Sequence, residues 1–440
     1  MATATKEERQ LEAARALVRD VAAKLDVNAW VRLWDGSRLP LGLQPTGPLE
    51  IAIAGPGVIG SILRKPSLDT IIRQYVEKGL DFSGGTLVDL GREINARERS
   101  LRIKGLDALK LAAKLTPFLF DTSDARVNDQ GFKGDIKGEK KRSGSENQDY
   151  IQFHYDLSND FYALFLDPEM VYSCAYYTDW KNDVAQAQRD KLEMICRKLR
   201  LKPGERLLDI GCGWGGLVCH AAQNYGVTAH GITLSEEQLS FARDKVKRLC
   251  LEDKITLELK DYQAMAGTFD KIASIGMYEH IGLKNIPGYM DKVRSLLSDD
   301  GLFLNHAISR RAPKDKKSWL KARMRPEKKA IAKYIFPGGE LDDIGHSVVA
   351  MERAGFEVHD VEGWRMHYAR TCQLWCERLT ANREQAIQYV GEEKYRIWVA
   401  YLAGVSLAFS RGTLRLFQTV ASKSAKRPPP LPPTRADLYR

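Results

Sequence analysis

The chain has 440 residues, a hydrophobic fraction of 44% and a formal net charge of +10, and its mean hydropathy is −0.36. This length allows two or three domains with well-packed cores. No apolar run reaches the roughly 18 residues that a membrane-spanning helix needs, so we predict no membrane span. The surplus of positive charge predicts an anionic partner, either nucleic acid or an acidic membrane surface.

The seven cysteines are odd in number, scattered and without a C-x-x-C pair. This pattern favours the reduced thiols of a cytoplasmic protein over a disulfide framework. The stretch from Met1 to Arg9 lacks the apolar core of a secretory signal. We therefore expect a cytoplasmic protein.

The first part of the chain, residues 1–120, is predicted to be a small α+β domain without a catalytic constellation. Apolar spacing and turn residues predict a helix, a hairpin turn, a strand and a capped helix, at residues 5–25, 35–36, 49–54 and 67–78. Gly79 to Leu87 is predicted to be a turn between helices.

A change in composition marks residues 121–149, which are rich in Gly, Lys, Asp, Ser and Asn. We predict a mobile, basic linker here. Its cluster of Lys137, Lys140, Lys141 and Arg142 is either a solvated charge run or a contact for anionic lipid headgroups.

The stretch from Leu207 to Gly216 organises the rest of the chain. A short apolar run, typical of a buried parallel strand, ends in glycines at 211, 213, 215 and 216. A strand, a glycine turn and a following helix form a corner at which backbone approaches a ligand closely. The spacing is not the dinucleotide pattern G-x-G-x-x-G, and Asp209 precedes the first glycine by two residues. Both features favour a methyltransferase corner.

Further strands and helices alternate around this corner. A helix is predicted near 184–199 and strands at 228–232, 270–275 and 301–305. The alternation predicts an α/β fold with a doubly wound parallel sheet, whose ligand lies at the carboxyl ends of the strands.

Ordered motifs extend over most of the chain beyond residue 150. They lie at 154–156 (HYD), 172–176 (YSCAY), 209–215 (DIGCGWG), 231–235 (GITLS), 277–282 (MYEHIG), 336–340 (FPGGE) and 367–371 (HYART). With these motifs, the chain resembles the cyclopropane-fatty-acyl-phospholipid synthases and the related mycolic-acid cyclopropane synthases. The resemblance implies a class I S-adenosylmethionine-dependent methyltransferase with a Rossmann-like doubly wound sheet at 150–440. The first domain is similar to the amino-terminal lipid-binding domain of the phospholipid-acting branch.

The resemblance also implies a binding site for S-adenosylmethionine. Matched position by position, it comprises Tyr155, Tyr172, Ser173, Gly211, Gly213, Thr233, Gln238 and Tyr262. Gln238 is expected to bind the ribose hydroxyls, since the second strand ends in Gly231-Ile232-Thr233 and not in an acidic residue. Tyr262 is expected beside the adenine. No residue is assigned to a metal.

A second set implied by the resemblance holds bicarbonate, and comprises Cys174, Glu279, His306, Ile308 and Tyr368. An alkene that attacks the sulfonium methyl leaves a carbocation, and a proton must leave the new methyl group before a ring can close. A general base is therefore needed within hydrogen-bond reach of that methyl, and water must be excluded because it would trap the cation. The rings of Tyr172, Tyr176 and Tyr368 would favour the positive charge.

Each of these residues also has a simpler interpretation when it is taken alone. Cys174 could be a small buried hydrophobic residue, His306 a structural histidine, and Glu279 a helix cap. The aromatic residues of 172–177 could serve only core packing. The ordered motifs favour the functional interpretation of all of them.

The chain departs from the family in two places. Val405 stands where relatives often carry another cysteine, so no covalent role is transferred to that position. Residues 310–333 are rich in Lys and Arg where many relatives have a shorter, Pro-rich segment. This segment is either a solvated helix or a surface that lies on an anionic membrane.

The predicted function is cyclopropanation of cis-unsaturated acyl chains of membrane phospholipids by a peripheral enzyme at the inner face of the membrane, with a homodimer as the expected assembly. The alternative is a C-methyltransferase that makes methyl or methylene branches without ring closure. An RNA methyltransferase is disfavoured because no RNA-recognition motif is present, and we expect no nucleic-acid partner. A catalytically inactive lipid carrier is disfavoured by the intact glycine corner.

Overall fold

The computed structural model describes residues 5–97, 115–119, 121, 157–312, 340–424 and 431–439. These residues form two compact units. The first comprises the described residues up to 121 together with Leu379–Leu407, and the second comprises the rest. The predicted linker at 121–149 and its basic cluster lie outside the described residues, apart from Asp121.

The first unit is built on a four-stranded sheet with the order β2-β1-β3-β4. Its elements are α1 (Lys6–Leu25), β1 (Trp30–Arg32), β2 (Arg38–Pro40), β3 (Glu50–Ile53), α2 (Pro56–Arg64), α3 (Leu68–Val76), β4 (Leu80–Ser83) and α4 (Leu87–Arg97). Thr5 begins α1 with a capping box that includes Glu8, and Ser67 caps α3 as expected. Ala14, Val18, Val31 and Phe118 lie in its core.

The prediction of a turn at Gly79 to Leu87 is wrong. Residues 80–83 form β4, which pairs antiparallel with β3. Leu80 and Phe82 are half-buried, whereas Asp81 and Ser83 are exposed. This alternation over four residues is a strand pattern, but the glycines that flank so short a strand conceal it.

The second unit contains the seven-stranded sheet and its helices. Its elements are α5 (Asn159–Ala163), α6 (Val184–Leu199), β5 (Arg206–Ile210), α7 (Gly216–Tyr225), β6 (Thr228–Thr233), α8 (Glu236–Arg248), β7 (Ile255–Leu259), β8 (Phe269–Ile275), α9 (Tyr278–Ile281), α10 (Ile286–Leu296), β9 (Leu297–Arg310), α11 (Ile344–Arg353), β10 (Phe356–Gly363), α12 (Arg365–Ala381), α13 (Arg383–Arg411) and β11 (Leu414–Lys423). Residues 379–381 of α12 and 383–407 of α13 belong to the first unit, and the remainder of both helices belongs to the second.

The strand order of this sheet is β10-β11-β9-β8-β5-β6-β7. Strands β9, β8, β5, β6 and β7 run parallel, as predicted. The sheet is not parallel throughout, because β11 pairs antiparallel with β9 and β10 pairs antiparallel with β11. The sequence analysis did not identify these two strands, which are separated in the chain by α12 and α13.

Apolar side chains cover both faces of the sheet. Leu207, Leu302 and Leu304 pack on one face, and Leu208, Ile272 and Phe303 pack on the other. Two covered faces leave the carboxyl ends of the parallel strands as the accessible edge for a ligand. Among the described helices, none is both long and apolar enough to cross a bilayer.

Candidate active site

The glycine corner joins the end of β5 to the start of α7. Gly211, Gly213 and Gly215 adopt φ values of 80°, 55° and 80°, in the left-handed region that glycine adopts without steric cost. A Cβ atom added to Gly213 would meet no atom within 4 Å, so the backbone here borders open space. At Gly213 the corner is therefore open to the close approach of a ligand, whereas Gly215 and Gly216 pack against Ala242 and Val171.

The open space is a cavity of about 940 Å³, a volume that includes its mouth and the solvent in it. Most of the residues expected to bind S-adenosylmethionine line it: Tyr172, Ser173, Gly211, Gly213, Thr233, Gln238 and Tyr262. Tyr155 lies outside the described residues. The individual roles assigned to these residues remain predictions.

Hydrogen bonds fix the orientation of the polar groups that line the cavity. The hydroxyl of Thr233, at the end of β6, donates to Oε1 of Gln238 over 2.8 Å, so the amide nitrogen of Gln238 is the group left to donate to a ligand. Ser235 caps α8 and accepts from the backbone nitrogen of Gln238. The ring of Tyr262 packs edge-on against Tyr289, with 5.0 Å between centroids.

Two buried charged groups also line the cavity, and the sequence analysis gave neither a ligand role. The ammonium of Lys191 donates to Oγ of Ser173 over 2.9 Å. Burial raises the pKa of Asp209 to about 7, although the nearby Lys191 opposes the shift. Burial lowers the pKa of Lys191 to about 8. Oδ1 of Asp209 has no hydrogen-bond partner among the described residues, so it fits a cationic ligand such as the α-ammonium of S-adenosylmethionine.

Beside the cavity lies the group of residues expected to hold bicarbonate. Met277 and His280 line the cavity, and Glu279 lies between them in α9. The backbone nitrogen of Ile308 donates to Oε1 of Glu279 over 2.5 Å. His306 precedes Ile308 by two residues on β9, so both side chains lie on the same face of that strand.

Trp364 connects the remaining members of this group. Sγ of Cys174 lies 3.9 Å from the carbonyl oxygen of Trp364, and the same oxygen accepts from the backbone nitrogen of Tyr368. The indole ring of Trp364 lies edge-on to His306, with 5.6 Å between centroids. The contacts thus join Glu279 to Ile308, and they join Trp364 to Cys174, His306 and Tyr368.

Burial controls the protonation of this group. It raises the pKa of Glu279 to about 7, although the Ile308 bond opposes the shift. It lowers the pKa of His306 well below its ordinary value, an effect that Lys191 and Lys198 strengthen. It also raises the pKa of the Cys174 thiol far above its ordinary value. Cys174 therefore remains a thiol and His306 remains neutral, and neither a thiolate nucleophile nor an imidazolium is available.

Two polar atoms in this group are available to a ligand. Oε2 of Glu279 and Nε2 of His306 are buried and have no hydrogen-bond partner among the described residues. Buried polar atoms are nearly always paired. Two exceptions among the five residues expected to hold bicarbonate therefore indicate a place for a small polar ligand.

Sequence reasoning missed Lys191, Trp364 and Gln418. Gln418 donates from Nε2 to Nδ1 of His306 over 3.0 Å. No local motif could have identified Gln418, because the contact depends on the pairing of β11 with β9.

A seven-stranded sheet of this order, with a glycine corner after β5 and a ligand cavity at the carboxyl ends of its parallel strands, defines the class I S-adenosylmethionine-dependent methyltransferase fold. The structure of coclaurine N-methyltransferase with S-adenosylhomocysteine, which is 22% identical with a TM-score of 0.50, has the same fold. The expected fold class is confirmed.

Comparisons with known proteins identify the family. The family described as mycolic acid cyclopropane synthetase matches residues 142–419. A probable fatty acid methyltransferase of Pseudomonas putida is 37% identical over 413 residues, or 93% of this chain and 96% of that protein. The cyclopropane-fatty-acyl-phospholipid synthase of Escherichia coli K12 is 38% identical over 274 residues, or 62% of this chain and 67% of that protein.

Solved structures agree with this result. The mycolic acid cyclopropane synthase CmaA1, in complex with SAH and CTAB, is 35% identical with a TM-score of 0.59, and the match covers 63% of this chain and 98% of that chain. The chain belongs to the mycolic acid cyclopropane synthetase family. It is an S-adenosylmethionine-dependent methyltransferase, as the sequence analysis predicted.

Proposed function

We propose that this enzyme adds a methylene group across a cis double bond in the acyl chains of membrane phospholipids, which closes a cyclopropane ring. The observation that carries the proposal is the pair of unpartnered buried atoms, Oε2 of Glu279 and Nε2 of His306, beside the cavity. Methyl transfer to an alkene leaves a cation, which must lose a proton to give a stable product. Ring closure needs a proton acceptor at the new methyl group.

The bonds formed and broken define what the site must do. The alkene attacks the sulfonium methyl, a carbon–carbon bond forms, and the methyl–sulfur bond breaks to leave S-adenosylhomocysteine. The cation left on the chain is quenched when one C–H bond of the new methyl group breaks and its electron pair closes the ring. The proton leaves the chain, so one methylene is gained overall.

Aromatic side chains near the site suit such a cation, and one of them, Tyr172, lines the cavity. The ring of Tyr172 lies 5.2 Å from that of Trp375, and Tyr176 lies 4.7 Å from Trp364, centroid to centroid. Aromatic faces stabilise a desolvated cation by roughly 1–2 kcal/mol each. Their packing also excludes water, which would otherwise trap the cation as an alcohol.

The two unpartnered atoms fit bicarbonate, because Nε2–H of His306 can donate to an anionic oxygen and Oε2 of Glu279 can accept from the acid hydroxyl. When bound, bicarbonate supplies a base small enough to remain inside a dry site. The backbone nitrogen of Ile308 already donates to Oε1 of Glu279, so Ile308 would act by orienting that carboxylate. Cys174 and Tyr368 would lie at the edge of the site, because both contact the carbonyl oxygen of Trp364, whose ring packs against His306.

A direct test uses cis-unsaturated phospholipid vesicles and methyl-labelled S-adenosylmethionine, followed by mass spectra of the released acyl chains. The expected product has gained one methylene, has lost the double bond and carries no branch. A product with a methyl or methylene branch would support the second candidate, a C-methyltransferase without ring closure. The relative from Pseudomonas putida, named a probable fatty acid methyltransferase, favours that candidate. Unchanged acyl chains would overturn both.

A basic cleft in the second unit supports an anionic lipid surface as the partner. Arg311, Arg365, Arg411 and Arg415 line the cleft, and no carboxylate is among its lining residues. Arg365 is held by the carbonyl oxygens of Phe409 and Ser410. A rigid guanidinium beside others suits the phosphate of a lipid headgroup. Most of the basic segment 310–333, our other candidate for membrane contact, lies outside the described residues, as does the cluster at 137–142.

Co-sedimentation with vesicles tests this surface. Binding should need anionic lipid and should weaken with salt, since screening limits the reach of exposed charges to about 8 Å at physiological ionic strength. The double variant Arg311→Gln, Arg415→Gln should bind more weakly than Arg189→Gln, a control on an exposed arginine of the same unit. Equal binding with and without anionic lipid, at low and high salt, would refute charge-driven docking. The proposal also includes peripheral association with the inner face of the membrane and a homodimeric assembly. It includes no nucleic-acid partner.

A further inference from the structure

A buried chain of hydrogen bonds lies behind His306. Gln418 of β11 faces His306 of β9 in the strand register, and its Nε2 lies 3.0 Å from Nδ1 of the imidazole. Lys198 of α6 donates to Oε1 of the same glutamine over 2.8 Å and also pairs with Glu362 of β10. We call Glu362, Lys198 and Gln418 the support chain. Lys198, Gln418 and His306 are each at most 1% exposed.

The chemistry of these groups gives the support chain a direction. An ammonium only donates hydrogen bonds, so the carbonyl oxygen of Gln418 must face Lys198 and its NH₂ group must face the imidazole. Nδ1 of His306 must then accept. In a neutral imidazole the single ring proton consequently lies on Nε2, which is the nitrogen without a partner among the described residues.

We propose that Lys198 and Gln418 are positioning residues that hold His306 as its Nε2–H tautomer, so that it presents a hydrogen-bond donor to an anion at the base site. The identity of that anion rests on the proposed function. The assignment of the tautomer does not. Without Lys198 the amide of Gln418 could turn over and accept from Nδ1–H. Nε2 would then present a lone pair, which repels an anion.

The surroundings of His306 support a neutral, fixed ring. Besides Gln418, the groups near it include the ammonium groups of Lys191 and Lys198, the latter paired with Glu362, and the indole of Trp364. Both cations oppose protonation of His306. Lys198 also lies 5.1 Å from the ring centroid of Trp364, and the edge contact of that ring restrains the imidazole plane. The carboxylate of Glu362 would keep Lys198 in its charged form, in which the ammonium group only donates hydrogen bonds.

The tautomer can be read directly from protein carrying ¹⁵N-labelled histidine, in long-range ¹H–¹⁵N spectra at neutral pH, with His306 assigned from its absence in His306→Ala. The parent protein should show the Nε2–H form. Gln418→Glu supplies only acceptors, so His306 should change to Nδ1–H or to imidazolium. Lys198→Met should give a mixture of tautomers.

Lys245→Met is the matched control, because Lys245 is a second buried lysine of the same unit, 4% exposed and paired with Glu169. It should leave the His306 signals unchanged. An Nδ1–H form in the parent, which needs no variant to fold, would overturn the proposal. So would an unchanged Nε2–H form in folded Gln418→Glu.

Turnover supplies the second readout. Gln418→Glu and Lys198→Met should lower kcat by at least ~10-fold, as expected when a catalytic imidazole is held in the wrong tautomer, with the Kd for S-adenosylmethionine unchanged. A kcat equal to that of the parent, despite a changed tautomer, would refute the role in positioning. If the parent has the Nε2–H form but makes no cyclopropane, the proposed function fails and the tautomer assignment stands.

Discussion

The two units differ in which of their buried polar groups lack hydrogen-bond partners. In the first unit, Nε2 of Gln10 donates to Asp121 and to the carbonyl oxygen of Pro117, and Arg396 donates to the carbonyl oxygens of Tyr75 and Leu80 and to Asp81. Among the described residues of that unit, the buried polar atom without a partner is the neutral indole N–H of Trp34.

In the second unit the unpartnered buried atoms include the titratable groups of the site, on Asp209, Glu279 and His306. Leaving such a group unpaired costs roughly 1–3 kcal/mol. A site that binds polar ligands must keep these groups unpaired within the protein, at the expense of stability. Removing a buried polar group should therefore affect stability in the first unit and catalysis in the second.

The largest effect is expected from the unpartnered pair itself. Glu279→Gln and His306→Ala should each lower turnover by ~10² or more, the usual scale for groups that handle protons, while the Kd for S-adenosylmethionine changes little. Single-turnover assays and calorimetry measure the two quantities. His220→Ala, a partly exposed histidine bonded to Glu193, is the control. Parent-like turnover in either site variant would remove that residue from the site.

The same Glu279→Gln substitution should stabilise the protein at higher pH. Burial raises the pKa of Glu279 from 4.5 to about 7 in the folded state. Below pH 4.5 the group is protonated in both states. As the pH rises towards 7, the unfolded state releases the proton first, and stability is lost. The loss reaches at most about 3 kcal/mol.

Glutamine cannot ionise and therefore does not share this loss. Urea unfolding of the parent and of Glu279→Gln at pH 5 and pH 8 measures the difference. The variant should gain relative to the parent at pH 8. A difference that does not depend on pH would contradict the view that burial of Glu279 is a cost to stability.

In the first unit the opposite outcome is expected. Arg396→Met leaves the carbonyl oxygens of Tyr75 and Leu80 without this donor and should cost about 2 kcal/mol of unfolding free energy, without changing the Kd for S-adenosylmethionine. Arg383→Met, at an arginine of the same helix whose side chain is 52% exposed, should cost much less. If both variants were equally stable, the hydrogen bonds of buried polar groups would not be what stabilises this unit.

The smallest expected effect concerns the glycine corner. Gly213→Val puts a branched side chain into the space that the ligand occupies, and should raise the Kd for S-adenosylmethionine by about tenfold or more, since close approach needs a missing Cβ. Gly204→Val is a matched control, because Gly204 also has a positive φ, of 82°, and open space around its Cβ. Equal affinities in the two folded variants would contradict the assignment of the corner.

Local pattern was sufficient for the elements that form the cavity expected to bind the methyl donor. The helix predicted at 184–199 and the strands predicted at 228–232 and 270–275 coincide with α6, β6 and β8 to within one residue at each end. Gly211, Gly213, Thr233 and Gln238 lie at or just beyond strand ends. In a parallel sheet such positions meet at one edge whatever the details of packing.

Tertiary structure alone decided the surroundings of His306. His306 and Gln418 are 112 residues apart, and Lys198 and Gln418 are 220 residues apart. Their contacts depend on the antiparallel register of β11 on β9, and a shift of one residue would turn Gln418 to the other face of the sheet. The sequence determined which residues could act as donor, acceptor or base. Which of them are buried together, and on which nitrogen the proton of His306 resides, depended on pairing between distant strands, because periodicity in a sequence carries no information about the register of remote partners.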